Sequence, residues 1–356
     1  MSKKILMKGN EAISEAAIRA GCTLFFGYPI TPQNEIPEYM SRELPLHGGV
    51  FLQAESEIAA INMVYGASGA GARVMTSSSG PGIALKGEGV SYIACAQLPC
   101  VIVDITRGGP GLGNISPAQS DYLQVVKGMS HGDFHNIVLA PASVQEAADL
   151  VSDAFDLADL YRNPVVIMAD GMIGQMMEPV EFTKRGGRSL PPKDWTTTGS
   201  GNAKNGRRRT VYAVALNPED LEKINLELKR KYDVIEKEEV RCELYRAEDA
   251  ELLFVAYGTT SRIVKNAVDA LREEGVAAGL IRPITLWPYP LQVIREHAER
   301  GATRGFLAVE MCLGQMVEDV ERAVGNRRPV RFFGKTAGVI PQPVDIIAEA
   351  RKMLGR

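Results

Sequence analysis

The chain has 356 residues, of which 45% are hydrophobic and 23% charged, a composition that excludes a disordered or fibrous protein; single cores rarely grow much beyond roughly 250 to 300 residues, so two domains are expected. A formal net charge of -3 gives no broad positive field of the kind nucleic-acid binding needs, and the basic run Lys204 to Arg209 sits in a polar stretch and reads as solvated linker. No run of about 18 apolar residues occurs, and Met1-Ser2-Lys3-Lys4-Ile5 passes into a helical pattern before a long apolar leader can form, so a cytoplasmic protein without membrane contact is expected.

In chain order, Asn10 is placed to cap a helix whose apolar positions Ile13, Ala16, Ala17 and Ala20 follow the helical period, with Gly21 as its stop. Cys22 to Phe26, Val50 to Gln53, Arg73 to Thr76, Cys100 to Ile105 and Pro164 to Met168 read as short buried strands between helices. Ser56 is a cap for a helix of small residues from Ile58 to Gly71, and Ser143-Val144-Gln145-Glu146 has capping-box spacing before a helix with Ala148, Val151, Phe155 and Ala158 on one face. Alternating strands and helices predict an α/β fold with a mostly parallel sheet over residues 1–181. From 182 to 247 Gly, Pro, Ser, Thr and Lys/Arg accumulate, followed by a charged helix from Pro218 to about Glu239, which reads as a linker. Strand Leu252 to Tyr257, a helix with Ile263, Val264, Ala267 and Leu271 stopped at Gly275, and strands Val276 to Ile281, Phe306 to Val309 and Val330 to Phe333 predict a second, smaller α/β domain over 248–356.

The chemistry concentrates where a parallel sheet presents its functional loops, beyond the carboxyl ends of strands. Gly27-Tyr28-Pro29-Ile30-Thr31-Pro32-Gln33-Asn34 uses two prolines to fix one hydroxyl, Thr31, although a rigid turn explains the same residues. Glu57 stands in the first turn of a helix, where the dipole alone would favour a carboxylate by roughly 0.3 to 1 kcal/mol. Arg107 opens the run Gly108-Gly109-Pro110-Gly111-Leu112-Gly113-Asn114, and its planar fork suits a carboxylate, with a structural ion pair as the alternative. As a dinucleotide fingerprint that run fails, since Asn114 stands at the last glycine and Ile115-Ser116-Pro117 interrupts the helix that should follow. His131 and His135 lack a third ligand nearby and read as loop histidines. Cys22, Cys95, Cys100, Cys242 and Cys312 are scattered with no CxxC pair, which indicates neither a disulfide framework nor cluster ligands.

Taken together, Tyr28-Pro29-Ile30-Thr31-Pro32, Glu55-Ser56-Glu57-Ile58-Ala59-Ala60, Thr76-Ser77-Ser78-Ser79-Gly80-Pro81-Gly82 and Thr106-Arg107-Gly108-Gly109-Pro110 resemble, in order and spacing, the pyrimidine-binding domain of thiamine-diphosphate-dependent 2-oxoacid:ferredoxin oxidoreductases. Glu310-Met311-Cys312-Leu313-Gly314-Gln315-Met316-Val317-Glu318-Asp319-Val320 resembles the transketolase C-terminal-like domain of the same subunit. Gln33-Asn34, where many pyruvate-type members carry two serines, and the glycine-rich run point to the subgroup acting on 3-methyl-2-oxobutanoate (2-oxoisovalerate).

The resemblance implies that Glu57 meets N1' of the thiamine aminopyrimidine, where an acid favours the tautomer that removes the C2 proton. It places Tyr28, Pro29, Ser79 and Gly80 against the cofactor, and Thr31 and Arg107 on the carbonyl and carboxylate of the 2-oxoacid. It also implies oxidative decarboxylation to an acyl-CoA and CO2 with electrons passed to ferredoxin. Ala169-Asp170-Gly171 lacks the first glycine and the later asparagines of a diphosphate- and magnesium-binding strand end. Mg2+ and 4Fe–4S clusters are therefore expected on partner chains: a diphosphate-binding subunit, a gamma-type subunit and a ferredoxin-like iron-sulfur subunit. Three alternatives remain at this stage: a 2-oxoglutarate or pyruvate subunit, a non-catalytic scaffold, and a stand-alone NAD-dependent dehydrogenase.

Overall fold

The structure is a computed structural model that describes residues 4–183, 188–197 and 209–356; most of the Lys204 to Arg209 run lies outside the described residues. Strand β1 (Ile5–Lys8) leads into helix α1 (Gly9–Arg19), followed by β2 (Leu24–Gly27), α2 (Glu35–Glu43), β3 (Val50–Gln53), α3 (Glu57–Gly69), β4 (Val74–Ser78) and α4 (Gly80–Cys95). Next come β5 (Cys100–Thr106), α5 (Tyr122–Lys127), β6 (Ile137–Leu139), α6 (Val144–Tyr161), β7 (Pro164–Asp170), α7 (Gly171–Gln175) and β8 (Met177–Val180). Every residue of β5 and β7 is buried, as expected for strands covered on both faces, which read as continuous apolar runs rather than alternating ones.

After α8 (Pro218–Glu238) the chain runs through β9 (Cys242–Tyr245), β10 (Leu252–Val255), α9 (Gly258–Glu273), β11 (Ala278–Pro283), β12 (Thr285–Trp287), α10 (Leu291–Glu299), β13 (Gly305–Glu310), α11 (Val317–Val324), β14 (Val330–Gly334) and α12 (Pro343–Leu354). One sheet has the order β12-β6-β7-β5-β4-β2-β3 and a second β14-β13-β10-β11-β9. Both are parallel except at one edge each, where β12 and β9 run antiparallel to their neighbours. A small pair, β1 with β8, ties the start of the chain to residues 177–180. Among the described residues no helix is long and apolar enough to cross a membrane.

Several local expectations needed correction. Asn10 lies inside α1, whose cap is Lys8, because its side chain is spent on the loop after β2. Ser143 does accept from the Glu146 backbone N–H at 3.1 Å, but the Glu146 carboxylate reaches back to the N–H of Ala142, one residue before the expected position. Strands β1, β6, β8, β9 and β12 escape a pattern search because each is short or at an edge. The described part of the polar stretch 182–247 is not a free tether: Arg188 pairs with Asp153 and Glu239, Lys193 with Asp159, and the Thr197 N–H donates to Gly69 O at 3.0 Å. Helix α8 buries Leu228, Tyr232 and Ile235, one face at helical spacing, and Tyr232 meets His135 and Trp287 edge-on.

The two sheets are locked together. Strand β12 belongs by position to the second half of the chain yet completes the first sheet. Buried Gln119 donates to Tyr257 O (3.0 Å) and accepts from Thr260 Oγ1 (2.7 Å) and the Met311 N–H (2.9 Å). Tyr122 Oη donates to Asp319 (2.6 Å), and Arg282 pairs with Glu146 (2.8 Å). The turn that presents these groups depends on Glu310. Its fully buried carboxylate accepts the backbone N–H groups of Gln315 (3.1 Å), Met316 (2.9 Å) and Val317 (3.0 Å) and the thiol of Cys312. Burial pushes this carboxyl up while those donors pull it back. Glu310→Ala strands three buried donors and should cost about 2 to 4 kcal/mol, read as a lower denaturant midpoint with an unchanged slope.

Candidate functional site

The loop after β2 is fixed from beneath. Pro32 O accepts from Asn10 Nδ2 (2.9 Å) and Gln175 Nε2 (3.0 Å), and both amides also reach Glu35, which Lys8 neutralises at 3.1 Å. Gln33 is fully buried; it accepts from Ser77 Oγ at 2.5 Å and donates to Tyr28 O at 3.3 Å, bracing the loop against β4. Tyr28, Pro29 and Thr31 stand exposed above this scaffold. From sequence Asn10 reads only as a helix cap and Gln175 does not stand out, since each is one amide within a helix and the contact spans 22 residues in one case and 143 in the other.

Arg107, at the end of β5 and 6% exposed, comes to the same place. Its Nη1 donates to Thr31 O (2.8 Å) and lies 3.3 Å from Thr31 Oγ1, and its Nη2 donates to Leu112 O (2.9 Å). No acidic side chain pairs with it among the described residues, and Nε has no partner. The two residues expected to act together are thus in direct contact, with the guanidinium held by carbonyls and by no direct ion pair.

Glu57 is the first residue of α3, and the Ser56 hydroxyl caps that helix by accepting the Ala59 N–H at 3.2 Å. Glu57 is buried and the neighbouring Glu55 exposed. Among the described residues the Glu57 carboxylate makes no hydrogen bond or ion pair. It fits here only because α4 begins with glycines: a Cβ at Gly82 would stand 2.5 Å from Glu57 Oε1 and also collide with Ser78 Oγ. Seven residues on, a Cβ at Gly89 would stand 2.5 Å from Ile61, so the two helices meet backbone to side chain along this line.

Ser79 and Gly80 bridge β4 and α4. Ser79 is fully buried with an unpartnered hydroxyl, and Gly80 adopts φ +37°. Behind them lie two buried carboxyls, Asp104 and Asp121, which sequence reading missed although a charge inside the run Cys100–Thr106 was the available signal. Burial and the neighbouring Asp121 charge push Asp104 well above the carboxylate range. Burial lifts Asp121 to about 6, opposed by the Gly80 N–H and the Arg107 charge. The field of Asp121 thus opposes ionisation of Asp104.

The remaining motifs are occupied structurally. Asp170 Oδ1 caps α7 through the N–H groups of Met172 (2.9 Å) and Ile173 (3.2 Å). His135 stacks on Trp287 at 4.7 Å, and His131 contacts Ser130 on the surface. The glycine-rich run closes on itself through Asn114 N–H to Gly108 O (2.9 Å) and is not followed by a helix until Tyr122. Among the described residues no group of three His, Cys, Asp or Glu could hold a metal, and all five cysteines are unpaired.

Comparison with known proteins gives two family matches: pyruvate flavodoxin/ferredoxin oxidoreductase, thiamine diphosphate-binding, over residues 15–242, and pyruvate:ferredoxin oxidoreductase core domain II over 250–346. The chain is 51% identical to ketoisovalerate oxidoreductase subunit VorB of Methanothermobacter marburgensis, covering 98% of each chain. It is 39% identical to 2-oxoglutarate synthase subunit KorA of Methanothermobacter thermautotrophicus, covering 99% of this chain and all of that one. A 2-oxoglutarate:ferredoxin oxidoreductase from Magnetococcus marinus, solved with 2-oxoglutarate, coenzyme A and succinyl-CoA bound, superposes with a TM-score of 0.87 at 26% identity, covering 99% of this chain and 66% of its own. A split-gene transketolase, TM-score 0.61 at 15% identity, shares the fold.

Gly82→Ala tests the close approach of α3 and α4. The added methyl group must displace Glu57 or part the helices, so about 1 to 3 kcal/mol of stability should be lost, measured by thermal or denaturant unfolding.

Proposed function

We infer the function of this chain from the family to which it belongs, the thiamine-diphosphate-dependent 2-oxoacid:ferredoxin oxidoreductases: it is the pyrimidine-binding subunit of an enzyme that oxidatively decarboxylates a 2-oxoacid to an acyl-CoA and CO2. The observation that carries this reading is a buried carboxylate at the strand ends that makes no hydrogen bond or ion pair among the described residues, Glu57, in the same loop cluster as a buried guanidinium in no ion pair, Arg107. A helix-stabilising glutamate would be solvated and a structural arginine would be paired. Unsatisfied buried polar groups are rare in folded proteins and call for a ligand or a reason.

When bound, thiamine diphosphate supplies a nucleophilic carbon and an electron sink for the 2-oxoacid. Glu57 holds or shares the proton at N1' of the aminopyrimidine. Ser79, with its free hydroxyl, and Gly80, with no side chain, form the wall beside it, and Tyr28 and Pro29 form the opposite rim. Arg107 offers its free N–H groups to the substrate carboxylate, and Thr31 Oγ1, held 3.3 Å from Nη1, donates to the carbonyl.

Asp170 is committed to capping α7, so the diphosphate and Mg2+ fall to a partner subunit, with 4Fe–4S clusters on further gamma-type and ferredoxin-like chains and ferredoxin as acceptor. The exposed apolar side chains Leu52, Ile58, Leu85 and Leu112 beside the strand ends suit coverage by such a partner. The assembly is assigned to the cytoplasm. The substrate is 3-methyl-2-oxobutanoate, supported by higher identity to the ketoisovalerate subunit than to the 2-oxoglutarate subunits.

Three measurements test this reading. In the chain purified with its partners, CoA-dependent viologen reduction should be fastest with branched-chain 2-oxoacids; faster turnover of pyruvate or 2-oxoglutarate overturns the substrate. Glu57→Gln should lower turnover roughly 10²- to 10⁴-fold and slow exchange of the thiamine C2 proton, whereas a mere helix-stabilising role predicts near-normal rates and a loss within about 1 kcal/mol. Arg107→Lys keeps the charge and loses the fork, so KM for the 2-oxoacid should rise or kcat fall while thiamine diphosphate affinity is retained.

A further inference from the structure

Helix α4 buries a charge that the site described above does not use. Lys86 is fully buried and its Nζ has no hydrogen-bond partner. Gly82, Lys86 and Gly89 stand at i, i+4 and i+7, one face of the helix. The flanking glycines identify that face: Gly82 abuts Glu57 and Gly89 abuts Ile61, so the face is turned to α3. Side chains on a helix lean toward its N-terminus, which carries the Lys86 stem from its own turn toward Gly82 and the Glu57 carboxylate.

We propose that Lys86 is a positioning residue for Glu57: its buried ammonium, on the face of α4 turned to α3, supplies the opposite charge that holds the otherwise partnerless carboxylate at the strand ends. This rests on the reading of Glu57 as the group that meets the thiamine pyrimidine. A buried lysine without a hydrogen bond is a large unfavourable feature unless a nearby opposite charge compensates it. The charged groups on the elements packed against α4 are Glu57 on α3, Asp104 on β5, Asp170 on β7 and the acidic and basic residues of α8, among them Glu227 and Lys231. Of these, Glu57 is the one whose field acts on Lys86. Burial lowers the Lys86 ammonium to about 8 while Glu57 pulls it back up, so at neutral pH the group is still mainly a cation.

The test is Lys86→Met, which retains an unbranched stem one atom shorter and removes the charge, studied in the assembled complex alone and combined with Glu57→Gln. At pH 7 the single variant should melt a few degrees higher than the wild type, because an unbonded buried ammonium has been replaced by a thioether. The sign of the pH dependence follows from linkage. The folded-state value lies below the ordinary lysine value, so the unfolded chain binds more protons between about 8 and 10.5, and wild-type stability rises with pH over that window. The gap between variant and wild type should therefore narrow there.

Lys86→Met should also weaken thiamine diphosphate binding roughly tenfold at pH 7, since the carboxylate loses the opposite charge that holds it in place. In the Glu57→Gln background it should add nothing further. A variant that is more stable but binds cofactor with wild-type affinity, one whose effect adds in full to that of Glu57→Gln, or one that fails to fold, overturns the proposal. If Glu57→Gln alone leaves turnover and C2 exchange normal, the reading of Glu57 itself is lost; if it impairs both while Lys86→Met changes nothing, only the role of Lys86 is.

Discussion

The packing of α3 side chains directly onto the glycine backbone of α4 is the constraint on which the site depends. Two glycines at i and i+7, Gly82 and Gly89, let the helix after β4 lie against the helix after β3 closely enough to enclose Glu57 and Lys86. Were either glycine to carry a methyl group, the crevice would open to water. A carboxylate solvated at a helix N-terminus would then be a modest stabiliser. The same carboxylate, enclosed and left without a hydrogen bond, is poised for a ligand that brings its own donor.

The second sheet contributes to this site without lining it. Gln119, Tyr122 and Leu123 are held by Tyr257, Met311, Gln315 and Asp319, and these contacts span the segment that follows the glycine-rich run. The run itself touches the C-terminal lobe through Asn114 Nδ2 and Ala337 O at 3.0 Å. Leu112 O, which orients the Arg107 guanidinium, therefore belongs to a loop anchored at both lobes. The position of a substrate clamp on one sheet is stabilised by the turn after β13 on the other, which is why the buried Glu310 carboxylate and its three backbone donors matter beyond their own lobe.

Polar satisfaction is distributed unevenly. Glu310, Gln119, Gln33 and Asp170 are buried and bonded to neighbours that complement them. Around the strand ends the pattern reverses: Ser78 and Ser79 hydroxyls, Asp121 Oδ2, Arg107 Nε and Lys86 Nζ are all buried without a partner. A fold tolerates such groups where binding completes them, and a run of them falls within β4, β5 and the segments after them, while others such as Tyr232, Tyr289 and His297 lie elsewhere.

Much of this was legible in the sequence, for identifiable reasons. Parallel strands buried on both faces leave long apolar runs, and proline, glycine and capping serine punctuate their ends, so the α/β class, the loop bearing Thr31, the helix start at Glu57 and the strand end at Arg107 all follow from local pattern. Contacts between residues far apart in the chain do not. Asn10 reads as a cap until the structure shows its amide bound to Pro32 O, and Thr285–Trp287 reads as part of the second lobe until it pairs with Ile137–Leu139 in the first sheet. Lys86 looks like one more surface lysine in a helix. Only tertiary packing places it on the face that two glycines press against α3, because periodicity tells which residues share a face and the partner across that face decides whether it meets water or a carboxylate.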